Sequence, residues 1–315
     1  MLAIGDIRRE DAAMDDRPRL MPPVLFVGVV SISTAALFIK RCNEEVAASV
    51  IAAARLGIAS AILAAVSFAM RGRQAIRIPR EHRRSILLAG LFLGAHFFFW
   101  ITSLSHTSVL SSVVIVTTNP IFVGLASFYV LKESLNRRLF VGIAFAALGG
   151  AFIAVSDSGQ RGSLYGNLMS LLGAIMMSCY LLVGRTVRQR VDNLSYIVPV
   201  YGVAALLLIV IASFSGQNVV HYRSGTYSYL LLLALVPQLI GHTCLNWALA
   251  HASATLIAVC ILGEPIGASL MAYFFLGEKV QALQAAGGAL ILVGIFIATR
   301  QEAAADSTTL SDVAG

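Results

Sequence analysis

Length, composition and charge place this chain of 315 residues among membrane proteins. Hydrophobic residues make up 58% of it and charged residues only 12%, whereas a soluble chain has about a quarter charged residues because water must solvate its surface. The mean hydropathy of +0.82 agrees with that comparison. These values exclude an ordinary soluble protein, and we expect the lipid bilayer to be the main partner of its surface.

Ten apolar runs follow one another along the chain, and a bilayer crossing needs ~20 such residues. All ten should be helices, because a helix satisfies its own backbone in lipid, whereas a closed barrel would show ~10-residue alternating segments. The predicted runs are 22–39, 46–70, 85–105, 108–131, 137–155, 165–187, 195–214, 227–249, 253–276 and 281–299.

The two ends of the chain are polar. Residues 1–20 mix charges of both signs and lack the apolar core and small-residue cleavage site of a signal peptide. Residues 300–315 are small and polar, which predicts a disordered tail. No segment is large enough for a separate soluble domain, which argues against a receptor or a membrane-tethered enzyme.

The positive charge is distributed unevenly between the predicted loops. With the N-terminus in the cytoplasm, the inside segments hold 17 of the 23 Lys and Arg residues, six of them in the loop 71–84. This is the bias that orients membrane proteins, and it predicts that both tails are cytoplasmic. The basic loop is thus interpreted as a topology anchor, and no nucleic acid is expected as a partner.

The chain contains an internal repeat. Displaced by 145 residues, 104–149 aligns without a gap on 249–294, and twelve of the 46 positions are identical, including Pro120 with Pro265. The repeating unit is five helices, 21–155 and 165–299. Because five is odd, the second copy must enter the membrane in the opposite orientation. We therefore predict an all-α integral membrane protein of ten transmembrane helices in two inverted five-helix repeats, an architecture typical of secondary transporters.

The segments that carry the repeat also resemble a known family. The stretches "SSVVIVTTNPIFVGLASFYVLKESL" and "LIAVCILGEPIGASLMAYFFLGEKV", together with "AARLGIASAIL", are similar to the EamA branch of the drug/metabolite transporter superfamily. The resemblance covers nearly all of 21–299 and implies two tandem EamA repeats and a transport function. Where many relatives have Trp-Gly in the first helix, this chain has Ile32-Ser33. Members of the superfamily move amino acids, other metabolites, nucleotide-sugars or drugs.

The repeated proline marks a candidate transport site. Proline donates no backbone hydrogen bond and crowds the preceding turn, so Pro120 and Pro265 should each free a carbonyl one turn earlier. Exposed backbone at membrane depth is tolerated where protein or a wet cavity surrounds it, and matched broken helices point to the substrate. The residues before the prolines are Asn119 and Glu264.

Glu264 allows two interpretations. A charged group at the bilayer centre costs roughly 2.5–3.5 kcal/mol, so water, a partner or a proton must offset it. The residue either bonds to neighbouring backbone and holds the kink, or contacts substrate or a coupling proton. In the second case His242 is a further titratable group within reach.

Polar residues also recur at helical spacing on two helices that are equivalent in the repeats. We expect them to line one central cavity, although a single membrane histidine more often makes a helix–helix hydrogen bond. With Tyr180 from a weaker stripe on the sixth helix, the candidate substrate-binding residues are His96, Trp100, Ser103, Asn119, Tyr180, Gln238, His242, Asn246 and Glu264.

Arg55 is the remaining internal charge. It is interpreted either as a side chain that snorkels to the interface or as a gating or substrate-carboxylate group, so Arg55 and Glu264 are the candidate gating or coupling residues. His96, His242 and Glu264 lack the close spacing of a metal site, and we expect no metal or cofactor. A P-loop and the common catalytic motifs are absent from the sequence.

These observations favour an inner-membrane secondary transporter of the EamA type. The expected cargo is a small metabolite such as an amino acid, exported by alternating access, with protons as a candidate coupling ion. The alternative is a scaffold or intramembrane enzyme that reuses the fold. A polar cavity distinguishes the two, because a scaffold needs none.

Overall fold

The structure, a computed structural model, describes residues 17–72, 80–107, 109–126, 128–129, 137–156, 164–276, 282–283 and 285–297. All regular secondary structure in these ranges is helical. The predicted tails lie outside the described residues except for 17–20, which form the start of the first helix. That helix begins before its apolar run because hydropathy marks the lipid-facing part and not the polar turn that precedes it.

We number the helices in chain order. They are α1 (Arg17–Ser33), α2 (Ala35–Cys42), α3 (Ala48–Arg71), α4 (Arg83–Leu104), α5 (Val109–Val116), α6 (Asn119–Ala126), α7 (Arg137–Ser156), α8 (Leu164–Arg188), α9 (Asn193–Phe214), α10 (Ser224–Leu233), α11 (Thr243–Ala248), α12 (Ala254–Ile261), α13 (Glu264–Leu276) and α14 (Ala285–Ile297). A π-helical segment, Ala234–His242, joins α10 to α11.

Seven helical segments of the described chain are long and apolar enough to cross a membrane. Three shorter apolar helices, Ser112–Ala126, Phe140–Phe152 and Ala285–Ile297, coincide with the three remaining runs of the sequence. Several crossings are composite, because α1 with α2, α10 with α11, and α12 with α13 form continuous segments. The described ranges are thus all-helical, and the protein is a multi-pass membrane protein.

The predicted helix breaks are confirmed. Helix α5 ends at Val116 and α6 starts at Asn119, whereas α12 ends at Ile261 and α13 starts at Glu264. Tighter i to i+3 hydrogen bonds close each break, 3.1 Å from Thr118 N to Ile115 O and 3.0 Å from Gly263 N to Cys260 O. Each proline thus occupies the second position of a new helix, where its missing N–H costs nothing.

Equivalent helix contacts in the two halves of the chain lie 145 residues apart, the same displacement that relates the sequence repeat. Helix α1 packs on the π segment and α11, as α8 packs on α4. A Cβ on Gly28 of α1 would lie 3.5 Å from the Leu245 side chain, and one on Gly173 of α8 would lie 3.4 Å from Trp100 Cβ. Both intervals, 28 to 173 and 100 to 245, equal 145. Equivalent glycines thus permit equivalent close contacts.

Ion pairs identify the loops that share each end of the bundle. Arg71 at the end of α3 binds Asp192 before α9, with 2.9 Å between Nη2 and Oδ1. At the other end, Arg223 before α10 binds Glu45 before α3, with 2.8 Å between Nε and Oε1. We call these the Arg71 end and the Glu45 end.

Asp192 is both an ion-pair partner and the N-cap of α9, accepting a hydrogen bond from Ser195 N at 3.1 Å. Burial raises the pKa of this carboxyl, but hydrogen bonds from Arg71 and Ser195 outweigh burial and lower its pKa to about 2. Since the folded pKa lies below the ordinary value, the stabilisation is present above pH ~4. It is lost as the pH falls from ~4 towards ~2.

We predict that Asp192→Ala lowers the thermal unfolding midpoint more than Asp192→Asn does. Asparagine keeps a good N-cap and loses only a half-exposed ion pair, roughly 0–1 kcal/mol. Alanine also loses the cap, about 1 kcal/mol more. Unfolding of the purified protein in detergent at neutral pH measures both variants. Equal destabilisation by the two would show that the cap contributes nothing.

Candidate functional site

The two helix breaks meet at a small central cavity. Its volume is about 20 Å³, a space on the scale of one water molecule, so the site is nearly closed. Seven of the ten apolar segments contribute to the wall. The lining residues are Ile32, Ala35, Arg55, His96, Trp100, Val116, Thr117, Asn119, Met177, His242, Leu245, Ile261 and Glu264.

Arg55 enters the cavity from α3 and is fully buried. Its Nε donates to Gln238 Oε1 at 2.8 Å, and its Cζ lies 4.0 Å from the centroid of the Phe97 ring. Neither terminal nitrogen has a hydrogen-bond partner among the described residues. The snorkelling interpretation is therefore wrong, because the guanidinium points into the bundle, where Gln238 and Phe97 hold it.

His96 and Trp100 form one wall of the cavity from α4. Their rings stack with centroids 5.9 Å apart. His96 Nδ1 lies 2.9 Å from Gly173 O, and because a carbonyl only accepts, this nitrogen carries the proton. The indole nitrogen of Trp100 has no partner within the described part of the chain, so it remains available as a donor.

His242 lines the cavity from the end of the π segment. Its ring meets Phe97 edge to face at 5.2 Å, and its Nδ1 lacks a hydrogen-bond partner among the residues described. The π segment surrounds Pro237, and such wide turns recur at functional sites. The backbone irregularity therefore occurs where the eighth apolar run reaches the cavity.

Asn119 and Glu264, the first residues of α6 and α13, bring both repeats to the site. Both are buried, with 1% and 7% of their surface exposed. Neither amide atom of the Asn119 side chain has a partner in the described ranges. Glu264 interacts electrostatically with Arg55, yet Gln238 holds the only bonded guanidinium nitrogen, so no hydrogen bond joins the two charges.

Four of the candidate residues are buried outside the cavity wall. Tyr180 donates to Asn246 Oδ1 at 2.5 Å, and Asn246 Nδ2 donates to Tyr201 Oη at 3.4 Å. The Ser103 hydroxyl bonds to Trp100 O and to the Ser112 hydroxyl. Gln238 accepts the hydrogen bond from Arg55 Nε. These side chains organise the layer around the site.

Some lining residues carried no polar signal in the sequence. Ile32 and Leu245 are apolar and resemble any other core position, whereas Met177 lies with Tyr180 on the weaker stripe of the sixth helix. Phe97 follows His96 directly and so falls off the helical stripe, although its ring lies beneath Arg55. Only its position beside the stripe hinted at that role.

Different features lie at the two ends of the bundle. At the Glu45 end, Thr107 Oγ1 donates to Asn167 Oδ1 at 2.9 Å, and the His106 and Tyr165 rings pack at 5.0 Å. From the Arg71 end, a mostly apolar groove of about 510 Å³ runs between α1 and the last apolar segments. Its wall includes Met21, Leu25, Ser33, His251, Leu256 and Ile295.

The chain is similar to known transporters. The model of the EamA-like transporter family matches residues 22–155 and again 164–300. The chain is 24% identical over 272 residues to an uncharacterized transporter of Archaeoglobus fulgidus, covering 84% of this chain and 92% of the relative. It is 24% identical over 258 residues to the Pseudopaline exporter CntI of Pseudomonas aeruginosa, covering 82% and 89%.

A shorter sequence match and a solved structure are also similar to this chain. The chain is 27% identical over 179 residues to a Probable amino-acid metabolite efflux pump of Salmonella typhimurium, covering 54% and 60%. One crystal structure superposes with a TM-score of 0.75 at 19% identity, covering 90% of this chain and 98% of its own, which shows a shared fold. Because the family model matches both halves and nearly all of the apolar chain, the protein belongs to the EamA-like transporter family.

Proposed function

We propose that the protein is an inner-membrane exporter of small metabolites such as amino acids, working by alternating access. The observation that carries this proposal is the central cavity at the two helix breaks, where buried polar atoms of Arg55, Trp100, Asn119 and His242 lack partners among the described residues. A scaffold needs no such atoms, because each unpaired one costs about 1–3 kcal/mol. They gain partners when a polar cargo binds.

The proposal includes ten crossings in two inverted repeats. Support comes from the displacement of 145 residues that relates both the sequence and the packing of Gly28 and Gly173. The Arg71 end faces the cytoplasm, because it carries the basic loop 71–84 and Arg188. Both termini are cytoplasmic in this arrangement.

The contacts at the Glu45 end support alternating access, because they would have to part for a cargo to pass that end. In the proposed orientation the Glu45 end is external and the apolar groove lies on the cytoplasmic half. A cargo would enter from the cytoplasm, and rearrangement of the repeats would then break the Thr107–Asn167 hydrogen bond. The names of two relatives, an exporter and an efflux pump, support the same direction.

We predict that the reconstituted protein moves amino acids across liposomes and that Trp100→Ala reduces the flux on the order of 10-fold. Loss of an aromatic that lines the pocket removes about 1–2 kcal/mol of binding. Trp247→Ala is the matched control, since the chain has two tryptophans and this one lies outside the cavity wall. Absence of flux for every amino acid tested would refute the assignment of cargo.

Glu264 is proposed as the group that couples protons to transport. Arg55, His96, His242 and Asn119 line the same cavity, so a change of charge on Glu264 alters the balance around the cargo. Glu264→Gln keeps the shape and removes that change. The variant should exchange cargo but lose acceleration by a pH gradient, measured as liposome uptake.

Glu44→Gln serves as the control for this experiment, because Glu44 is an exposed carboxyl near the Glu45 end. It should keep the pH response of the parent. An unchanged response in Glu264→Gln would instead assign the carboxyl to holding the helix break.

A further inference from the structure

The guanidinium of Arg55 is held at two points that leave one edge free. Gln238 takes the Nε–H at 2.8 Å, and the face of the Phe97 ring lies 4.0 Å from Cζ. A ring face attracts the charge without using an N–H donor. The four remaining donors, on the terminal nitrogens, therefore stay unpaired among the described residues.

Those four donors form the planar fork that matches a carboxylate with two parallel hydrogen bonds. A buried charged group without partners is costly, and this one lies in the wall of the central cavity. We propose that Arg55 binds the carboxylate of the transported molecule and that Gln238 is the residue that positions it. This assignment rests on the proposed transport function and narrows its cargo.

The opposite charge in the wall defines the class of cargo further. Glu264 lines the same cavity and makes no hydrogen bond to Arg55. A simple anion on Arg55 would face this carboxyl, whereas a zwitterion also presents an ammonium to it. Asn119 and Trp100 add unpaired amide and indole groups. The chemistry of the wall thus suits a small molecule with a carboxylate and an amine a few bonds apart, and the cavity, now on the scale of one water molecule, must widen to admit it.

Gln238 belongs to the π segment, 183 residues from Arg55 in sequence. It is fully buried and outside the cavity wall, so it acts on cargo only through Arg55. Its Oε1 fixes the Nε side of the guanidinium and turns the other edge outwards. Removing that acceptor should let the fork rotate.

The test uses the fluorescence of Trp100, which lines the cavity. With Trp247→Phe as the parent, Trp100 is the sole tryptophan of the purified protein in lipid nanodiscs. Glycine, the smallest zwitterion, is titrated against glycinamide, which keeps the amine and lacks the carboxylate. Glycine should give a saturable fluorescence change with a Kd at least ~10-fold lower than that of glycinamide, since charge-assisted hydrogen bonds to the carboxylate account for a difference of that size.

Substitutions then assign the preference to the two residues. Arg55→Gln should abolish the preference for glycine, and Arg190→Gln, an exposed arginine near the Arg71 end, should keep it. Gln238→Met removes the acceptor and should lose the preference, whereas Gln238→Glu restores an acceptor and should recover it. Thermal unfolding confirms that each variant is folded. If Arg55→Gln does not fold, the comparison of Gln238→Met with Gln238→Glu tests the proposal instead.

Three results would overturn the proposal: no response to glycine, equal affinity for glycine and glycinamide, or a folded Arg55→Gln variant that keeps the preference. The proposed function fails separately. Glycine binding that depends on Arg55, without flux of any amino acid in liposomes, would leave the carboxylate site intact and refute transport. Flux of amino acids without discrimination between glycine and glycinamide would leave transport intact and refute the carboxylate site.

Discussion

Two prolines determine where this bundle can hold a polar centre. Pro120 and Pro265 cannot donate to the preceding turn, and two residues separate α5 from α6 and α12 from α13. Backbone released at membrane depth must be enclosed by protein or water. The bundle meets this requirement by bringing both breaks to one cavity, and the positions of Asn119 and Glu264 follow from it.

The buried charge of Arg55 imposes a second requirement. An unneutralised guanidinium among helices is costly, and three features of the structure reduce that cost. Gln238 accepts from it, Phe97 lies against it, and Glu264 shares its cavity. None of the three occupies the terminal nitrogens, which separates this arrangement from a structural ion pair. A site stabilised in this way can remain charged and still bind a ligand.

Sequence periodicity predicted the parts of the site that depend on local backbone. The breaks at Pro120 and Pro265 follow from proline chemistry, and the spacing of His96 and Trp100 places both on one face of α4. The eighth run departs from this rule because its π segment shifts the register. His242 therefore reaches the cavity, whereas Gln238 and Asn246, although on the same predicted stripe, bond to Arg55 and Tyr180.

Contacts between distant segments could not be predicted from one sequence. The Arg55–Gln238 bond spans 183 residues, and nothing in either local pattern specifies the partner. The same is true of Thr107 and Asn167, whose side chains bond at 2.9 Å across 60 residues.

The proposed mechanism requires the Glu45 end to open for cargo to cross. It can be tested with Thr107→Cys and Asn167→Cys in a chain whose four natural cysteines are replaced. Flux of a transported amino acid is measured in liposomes before and after oxidation to the disulfide. Alternating access predicts that oxidation stops the flux, that a reductant restores it, and that the cysteine-free chain is unaffected. Full flux with the disulfide formed would contradict the account.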